Sequence, residues 1–344
     1  MNKKLVGVLG AGSFGSTVAR LLASNTEVLI YTRKPDKVKE INEQHSNLGF
    51  SLPENITATS SLEELADRCQ VIFPILPSSV FRETLNDISQ FLHPYHILIH
   101  GTKGFDLVKV DLDRPFVKIS RSNLRTMSEV IAEETQVKRI GCLSGPNLSR
   151  ELQQGFPASS VVASEFDEVI QIGHDLLNSL QFKIYGSHDI LGTELAGALK
   201  NMIAVGTGII GGLGLGKNVE AFFITRGLRE LILIGTAMGA QEKTFFGTAG
   251  IGDLIATATS KDSRNYSFGY RLAKGFTKSQ IESEIDELAE GVRTIELIHH
   301  FTQAHQIDVP IVESLYALIY RDFPLEDAIT YLLNYPFSVD VDFL

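Results

Sequence analysis

Residues Gly10-Ala11-Gly12-Ser13-Phe14-Gly15 have the spacing G-x-G-x-x-G. They follow a run of strand formers, Leu5–Leu9, and open an amphipathic stretch at 14–24. In that setting such a turn holds a dinucleotide. Gly10 permits the tight turn, Gly12 lets a pyrophosphate approach the backbone, and Gly15 lets helix pack on strand. The N–H groups of the helix start, at Ser13 and Phe14, then face the phosphates. The blander reading is a glycine-rich strand–helix turn with no ligand.

The second predicted strand, Glu27–Tyr31, runs into Thr32-Arg33-Lys34. A carboxylate there would bind the ribose 2′-hydroxyl of NAD; two cations suit a 2′-phosphate, so NADP is the favoured cofactor. NADH loses one contact and keeps the rest of the site. Otherwise Arg33 and Lys34 are solvated loop charges.

Four further places carry charge that could meet a substrate. Lys103 lies in Gly101-Thr102-Lys103-Gly104, beyond the predicted strand Ile97–His100, where open parallel sheets bind ligands. Lys200 sits opposite an apolar stripe of Leu191, Leu195, Leu199 and Met202. Its wheel neighbours Thr193, Ala196, Gly197 and Ala204 are small and uncharged. A lysine in such a groove loses hydration and releases its proton more readily; an exposed lysine beside a packing groove fits the wheel equally. Third, Asp253 is a natural N-cap for a helix starting near Leu254, and near Lys200 it would orient the ammonium. Ten residues on, Ser263-Arg264-Asn265 offers a planar fork and neutral hydrogen bonds for a phosphate.

The elements that must position these groups follow from periodicity. Apolar runs at 57–59, 71–76, 97–100, 139–143, 159–163 and 182–185 read as strands. Stretches at 37–45, 62–67, 80–91 and 166–179 read as helices. The alternation predicts an α/β fold with a Rossmann-type, doubly wound parallel sheet over residues 1–188. From Leu191 onward only helical periodicity appears, so residues 189–344 are expected to form a mostly helical domain.

Composition bounds the rest. The 344 residues are 44 % hydrophobic and 21 % charged, with net charge −10, which excludes disorder and disfavours nucleic acid as a partner. The glycine-rich stretch 202–216 is too short to span a membrane. No secretory h-region is visible near the start, so the cytoplasm is expected. Cys69 and Cys142 have no metal-motif spacing and read as small buried hydrophobes. His299 and His300 point about 100° apart on a helix, so no metal is assigned. The apolar stretch 221–239 reads either as core or as the interface of a homodimer.

Taken together the motifs resemble one family, the bacterial-type NAD(P)-dependent glycerol-3-phosphate dehydrogenases. The resemblance runs from about residue 4 to about 333. It rests on 10–15, 101–104, Leu143-Ser144-Gly145-Pro146, 194–201, 208–216, Thr225-Arg226-Gly227, 247–254, Ser263-Arg264-Asn265 and Glu290-Gly291-Val292. It implies reversible reduction of dihydroxyacetone phosphate to sn-glycerol 3-phosphate, supplying phospholipid synthesis. By resemblance, Lys200 matches the proton donor and acceptor, and Lys103 contacts both substrate and cofactor. Gly145, Asn147, Asp253, Ser263, Arg264 and Asn265 match substrate contacts. Gly10, Gly12, Ser13, Phe14, Gly15, Arg33, Ser149, Arg264, Leu288 and Glu290 match cofactor contacts. The chain departs from the family pattern in places. Asn147 stands for a usual Thr or Ser, and Ser149 for a usual Ala. Lys217 and Glu220 reverse a usual acid–base order, and Tyr266 replaces a basic residue.

Two other readings compete. A related β-hydroxy acid dehydrogenase would share the turn and an interdomain-helix lysine but not need the Ser263-Arg264-Asn265 cluster. A non-catalytic dinucleotide sensor would not need Lys200.

Overall fold

Alternate side chains of β1 (Leu5–Leu9) leave on opposite faces. Val6 and Val8 join a core with Val18 and Leu22, while Leu9 joins another with Leu65, Phe81 and Leu85. Burial on both faces is the mark of a strand inside a helix-covered parallel sheet. The computed structural model describes residues 5–112, 114, 117–284 and 289–336, and the same pattern recurs along its first half.

Helix α1 (Ser13–Ala23) leads to β2 (Glu27–Tyr31), and α2 (Pro35–Gln44) to a hairpin of β3 (Ser46–Asn47) and β4 (Phe50–Ser51). Then come β5 (Ile56–Thr59), α3 (Leu62–Arg68), β6 (Val71–Pro74), α4 (Ser78–Ser89) and β7 (Ile97–His100). A ribbon of β8 (Asp106–Leu107) and β9 (Leu124–Arg125) precedes α5 (Met127–Glu134), β10 (Arg139–Ser144), α6 (Ser149–Gln153), β11 (Ala158–Ser164), α7 (Asp167–Leu177) and β12 (Phe182–Ser187).

The main sheet has the order β12-β11-β10-β7-β6-β1-β2-β5. From β10 to β5 every pair is parallel, and the winding reverses at β1, between β2 and β6. This is the expected doubly wound fold, and the carboxyl ends of β1 and β6 form its switch point. One pair departs from the expectation: β10 and β11 are antiparallel. A parallel return needs a crossover across a sheet face, and the only helix of this connection is the five-residue α6. The β3–β4 hairpin, the β8–β9 ribbon and α5 also form where periodicity predicts nothing.

By contacts the chain forms two units, Met1–Asp106 with Arg125–Glu194, and Leu107–Leu124 with Leu195–Leu344. The segment Leu107–Leu124 thus groups with the helical unit, although it lies within 1–188. The helices are α8 (Ile190–Leu213), α9 (Lys217–Ala237), α10 (Asp253–Ala258), α11 (Arg264–Ala273), α12 (Lys278–Glu284), α13 (Glu290–His305), α14 (Pro310–Tyr320) and α15 (Leu325–Asn334). By length and composition α8 could cross a membrane, but 94 % of its most apolar window is buried within the fold. Phe223, Leu228, Leu231, Ile232 and Ile234 of α9 are likewise buried, so they are core. Cys69 and Cys142 are free and buried; burial pushes the Cys69 thiol up to about 12.

Candidate active site

The glycine turn shows where a ligand fits. Gly10 has φ +124°, which L side chains rarely adopt. A Cβ on Gly10 would lie 2.4 Å from the Ile75 carbonyl oxygen, and one on Gly15 2.1 Å from that of Gly10. A Cβ on Gly12 would meet nothing within 4 Å. The turn is therefore packed tight at Gly10 and Gly15 and open at Gly12. Helix α1 starts at Ser13 with no side-chain cap, which leaves its first N–H groups for an anion. Phe14 packs its ring over Gly101, where a Cβ would lie 3.0 Å from Phe14 Cε1. Beyond β2, Arg33 and Lys34 are exposed. These residues fit a dinucleotide.

Within the same unit, Lys103 lies three residues beyond β7 and its Nζ donates to the Gly145 carbonyl at 3.0 Å. The loop that carries it is tied to the loop after β6 through Thr102, whose hydroxyl donates to the Leu76 carbonyl at 2.7 Å. Asn147 Nδ2 donates to Ser160 Oγ at 3.0 Å, while Asn147 Oδ1 is buried without a protein partner among the described residues. Ser149 is the first residue of α6. Below the Lys103 loop, Glu194 accepts from the Ser128 backbone N–H at 2.8 Å and from the Ser128 hydroxyl. His100 Nε2 lies 2.9 Å from Glu194 Oε1, at an angle outside hydrogen-bond geometry. Burial would raise the Glu194 carboxyl, but the His100 ring and Ser128 outweigh it and hold it below its usual range.

In the helical unit, Lys200 is buried with only 4 % of its surface exposed. Of the two readings of the wheel, the structure takes the buried one. Its Nζ donates to Asp253 Oδ1 and to Thr257 Oγ1, and lies 3.5 Å from the Asp253 carbonyl oxygen. Asp253 is not the N-cap expected of it. Gly252 holds that position, a π-helical turn at Thr248–Gly252 leads into it, and Asp253 is the first residue of α10. Its carboxylate faces Lys200. Thr257 escapes the sequence reading. Its only signal is its place four residues after Asp253, on the same helix face.

The phosphate candidates separate into distinct jobs. Ser263 is the N-cap of α11, its Oγ accepting from the Tyr266 N–H. Asn265 Oδ1 accepts from the Gly291 N–H at 2.9 Å, which ties α11 to the first turn of α13. A Cβ on Gly291 would lie 2.5 Å from the Asn201 carbonyl oxygen, so the residue after Lys200 packs against that same turn. Arg264 keeps solvent access over much of its surface, yet protein crowds its guanidinium. The resulting desolvation lowers its pKa, and the Glu290 carboxylate opposes the shift. Arg264 and Glu290, the first residues of α11 and α13, are thus electrostatic neighbours. Leu288 lies outside the described residues.

Known proteins resemble this chain over most of its length. Residues 5–170 match the family model for the NAD-dependent glycerol-3-phosphate dehydrogenase N-terminus, and residues 189–330 that for its C-terminus. A glycerol-3-phosphate dehydrogenase (NAD(P)+) of Staphylococcus carnosus is 35 % identical over 337 residues, covering 96 % of this chain and 97 % of that one. Its counterpart from Listeria innocua is 36 % identical over 342 residues, covering 97 % of each. The crystal structure of glycerol-3-phosphate dehydrogenase from Coxiella burnetii superposes with a TM-score of 0.86 at 29 % identity, covering 97 % of this chain and 100 % of that one. With both halves matched and relatives spanning nearly its full length, this chain belongs to the NAD-dependent glycerol-3-phosphate dehydrogenase family.

Proposed function

We propose that this protein catalyses the reversible NAD(P)-dependent reduction of dihydroxyacetone phosphate to sn-glycerol 3-phosphate, with Lys200 as general acid and base. The observation that supports this most is the buried Lys200 ammonium held by Asp253 and Thr257. A ketone reduced at C2 must gain a hydride at carbon and a proton at oxygen. When bound, the nicotinamide supplies the hydride. Lys200 donates a hydrogen bond to the C2 carbonyl oxygen and then its proton to the alkoxide that develops there. In the reverse direction neutral Lys200 takes the hydroxyl proton. Asp253 and Thr257 hold Nζ at one place through both events, so no reorganisation is needed at the moment of transfer.

The phosphate must be held against a chain of net charge −10. Arg264 supplies the fork for it, on a helix start that Ser263 caps and Asn265 anchors. Lys103, Gly145 and Asn147 form the polar edge beside the Rossmann-type sheet, Lys103 being oriented by the Gly145 carbonyl. Ser149 and Glu290 complete the cofactor contacts, and Arg33 with Lys34 favours the 2′-phosphate of NADPH. The test is a spectrophotometric assay of purified protein with NADPH and either dihydroxyacetone phosphate or a β-keto acid. Turnover with the phosphorylated ketone alone is expected. Turnover with the β-keto acid alone would favour the β-hydroxy acid reading, and cofactor binding with no turnover the sensor.

A further inference from the structure

Asn47 lies 36 residues from the glycine turn in sequence, yet its side chain holds the turn's carbonyl. It ends β3, in a hairpin whose turn residues Leu48 and Gly49 both have positive φ, 53° and 79°. That pairing is the signature of a tight two-residue turn. The hairpin buries Asn47 completely. Its Nδ2 donates to the Ala11 carbonyl oxygen at 2.9 Å and to Ser16 Oγ at 2.8 Å. A carbonyl oxygen only accepts, so the NH2 end must face Ala11, which settles the orientation of the amide. One amide group therefore ties the residue between the first two glycines to the first turns of α1.

The consequence lies in the next peptide. A trans peptide is planar, and its C=O and N–H point in opposite directions; the described chain has no cis bonds. Drawing the Ala11 carbonyl toward buried Asn47 turns the Gly12 N–H the other way, outward. Gly12 is the exposed glycine of the turn, with open space where a Cβ would stand.

We propose that Asn47 is a positioning residue for the dinucleotide: it sets the Ala11–Gly12 peptide plane so that the Gly12 N–H is presented, already aimed, to the pyrophosphate. This rests on the dinucleotide reading of the turn. A donor fixed before binding loses no freedom on binding, and that gain belongs to the pyrophosphate contact alone. Asn47→Asp puts an acceptor against the Ala11 carbonyl; Asn47→Ala frees that carbonyl without repulsion.

The test measures Kd for NADPH by fluorescence, for ADP-ribose by calorimetry and for adenosine by ligand-detected NMR, together with kcat at saturating cofactor. In Asn47→Asp, affinity for NADPH and ADP-ribose should both fall about tenfold or more, with a smaller fall in Asn47→Ala. Adenosine affinity and kcat should stay within about twofold of wild type. Were Asn47→Asp not to fold, the Asn47→Ala series carries the test by itself. Equal losses for adenosine and ADP-ribose would reduce Asn47 to general support of the fold and overturn the proposal, as would unchanged NADPH affinity in the folded variants. Wild-type protein that binds neither NADPH nor ADP-ribose would overturn the dinucleotide reading beneath it.

Discussion

The ammonium of Lys200 and the carboxylate of Asp253 meet across 53 residues of sequence, with side chains 5 % and 1 % exposed. Two charges so far from water persist because each is the other's partner, and Thr257 satisfies a further ammonium hydrogen. Removing one partner disturbs a buried ion pair, which costs far more than losing a surface pair. Asp253→Asn is expected to lower kcat for dihydroxyacetone phosphate between about tenfold and a hundredfold, and Thr257→Val about three- to tenfold. Steady-state kinetics at saturating NADPH checks both. Wild-type kcat in Asp253→Asn would show that the pair is structural only.

In the proposed function Arg264 holds the phosphate, and its electrostatic neighbour is the Glu290 carboxylate. Arg264→Ala should raise KM for dihydroxyacetone phosphate at least about a hundredfold, the scale of a charge-assisted pair. At saturating NADPH, activity on dihydroxyacetone, which lacks the phosphate, should fall far less. Equal losses on both substrates would remove the phosphate assignment.

Arg33 stands exposed just past β2 with no carboxylate beside it in Thr32-Arg33-Lys34. Arg33→Ala should lower kcat/KM for NADPH about tenfold while leaving NADH within about twofold. An unmoved ratio of the two would exclude Arg33 from cofactor choice.

What could be read from the sequence depended on how far apart the partners lie. The turn at Gly10, Gly12 and Gly15 was legible because strand, turn and helix are contiguous, and α8 showed Lys200 in uncharged surroundings because a wheel needs only its own helix. Asp253 was legible as a polar helix start, but its partner was a choice between cap and ion pair that only tertiary packing decides. Asn47 carried no signal and Thr257 only its spacing from Asp253, since a buried amide and a buried hydroxyl look like any surface Asn or Thr until the groups they bond are known. The antiparallel β10–β11 pair was hidden for a related reason: a strand buried on both faces has the same apolar run in either direction.

Glu230 predicts how stability depends on pH. It is buried on α9 and accepts the Ile311 and Val312 N–H groups at 2.7 and 3.0 Å, capping α14. Burial nevertheless pushes its carboxyl up from 4.5 to about 8, against the lowering effect of those N–H groups and of Arg229. The folded state therefore binds this proton more tightly than the unfolded state between those two values. Its contribution is present in full below the unfolded value and is lost as pH rises toward 8, with a slope of about 1.4 kcal/mol per pH unit. Urea titrations from pH 5 to pH 8 should show this slope in wild type and a flatter one in Glu230→Gln, even though the glutamine loses one acceptor. Identical slopes would mean that Glu230 is ionised in the folded protein.

Lys200 is the proposed proton donor, and Lys200→Met isolates that role because the thioether keeps the buried stem filled. Turnover of dihydroxyacetone phosphate should fall by about 10²–10⁴, with NADPH affinity, read by fluorescence, within about twofold of wild type. Turnover within about tenfold of wild type would mean that the proton comes from another group.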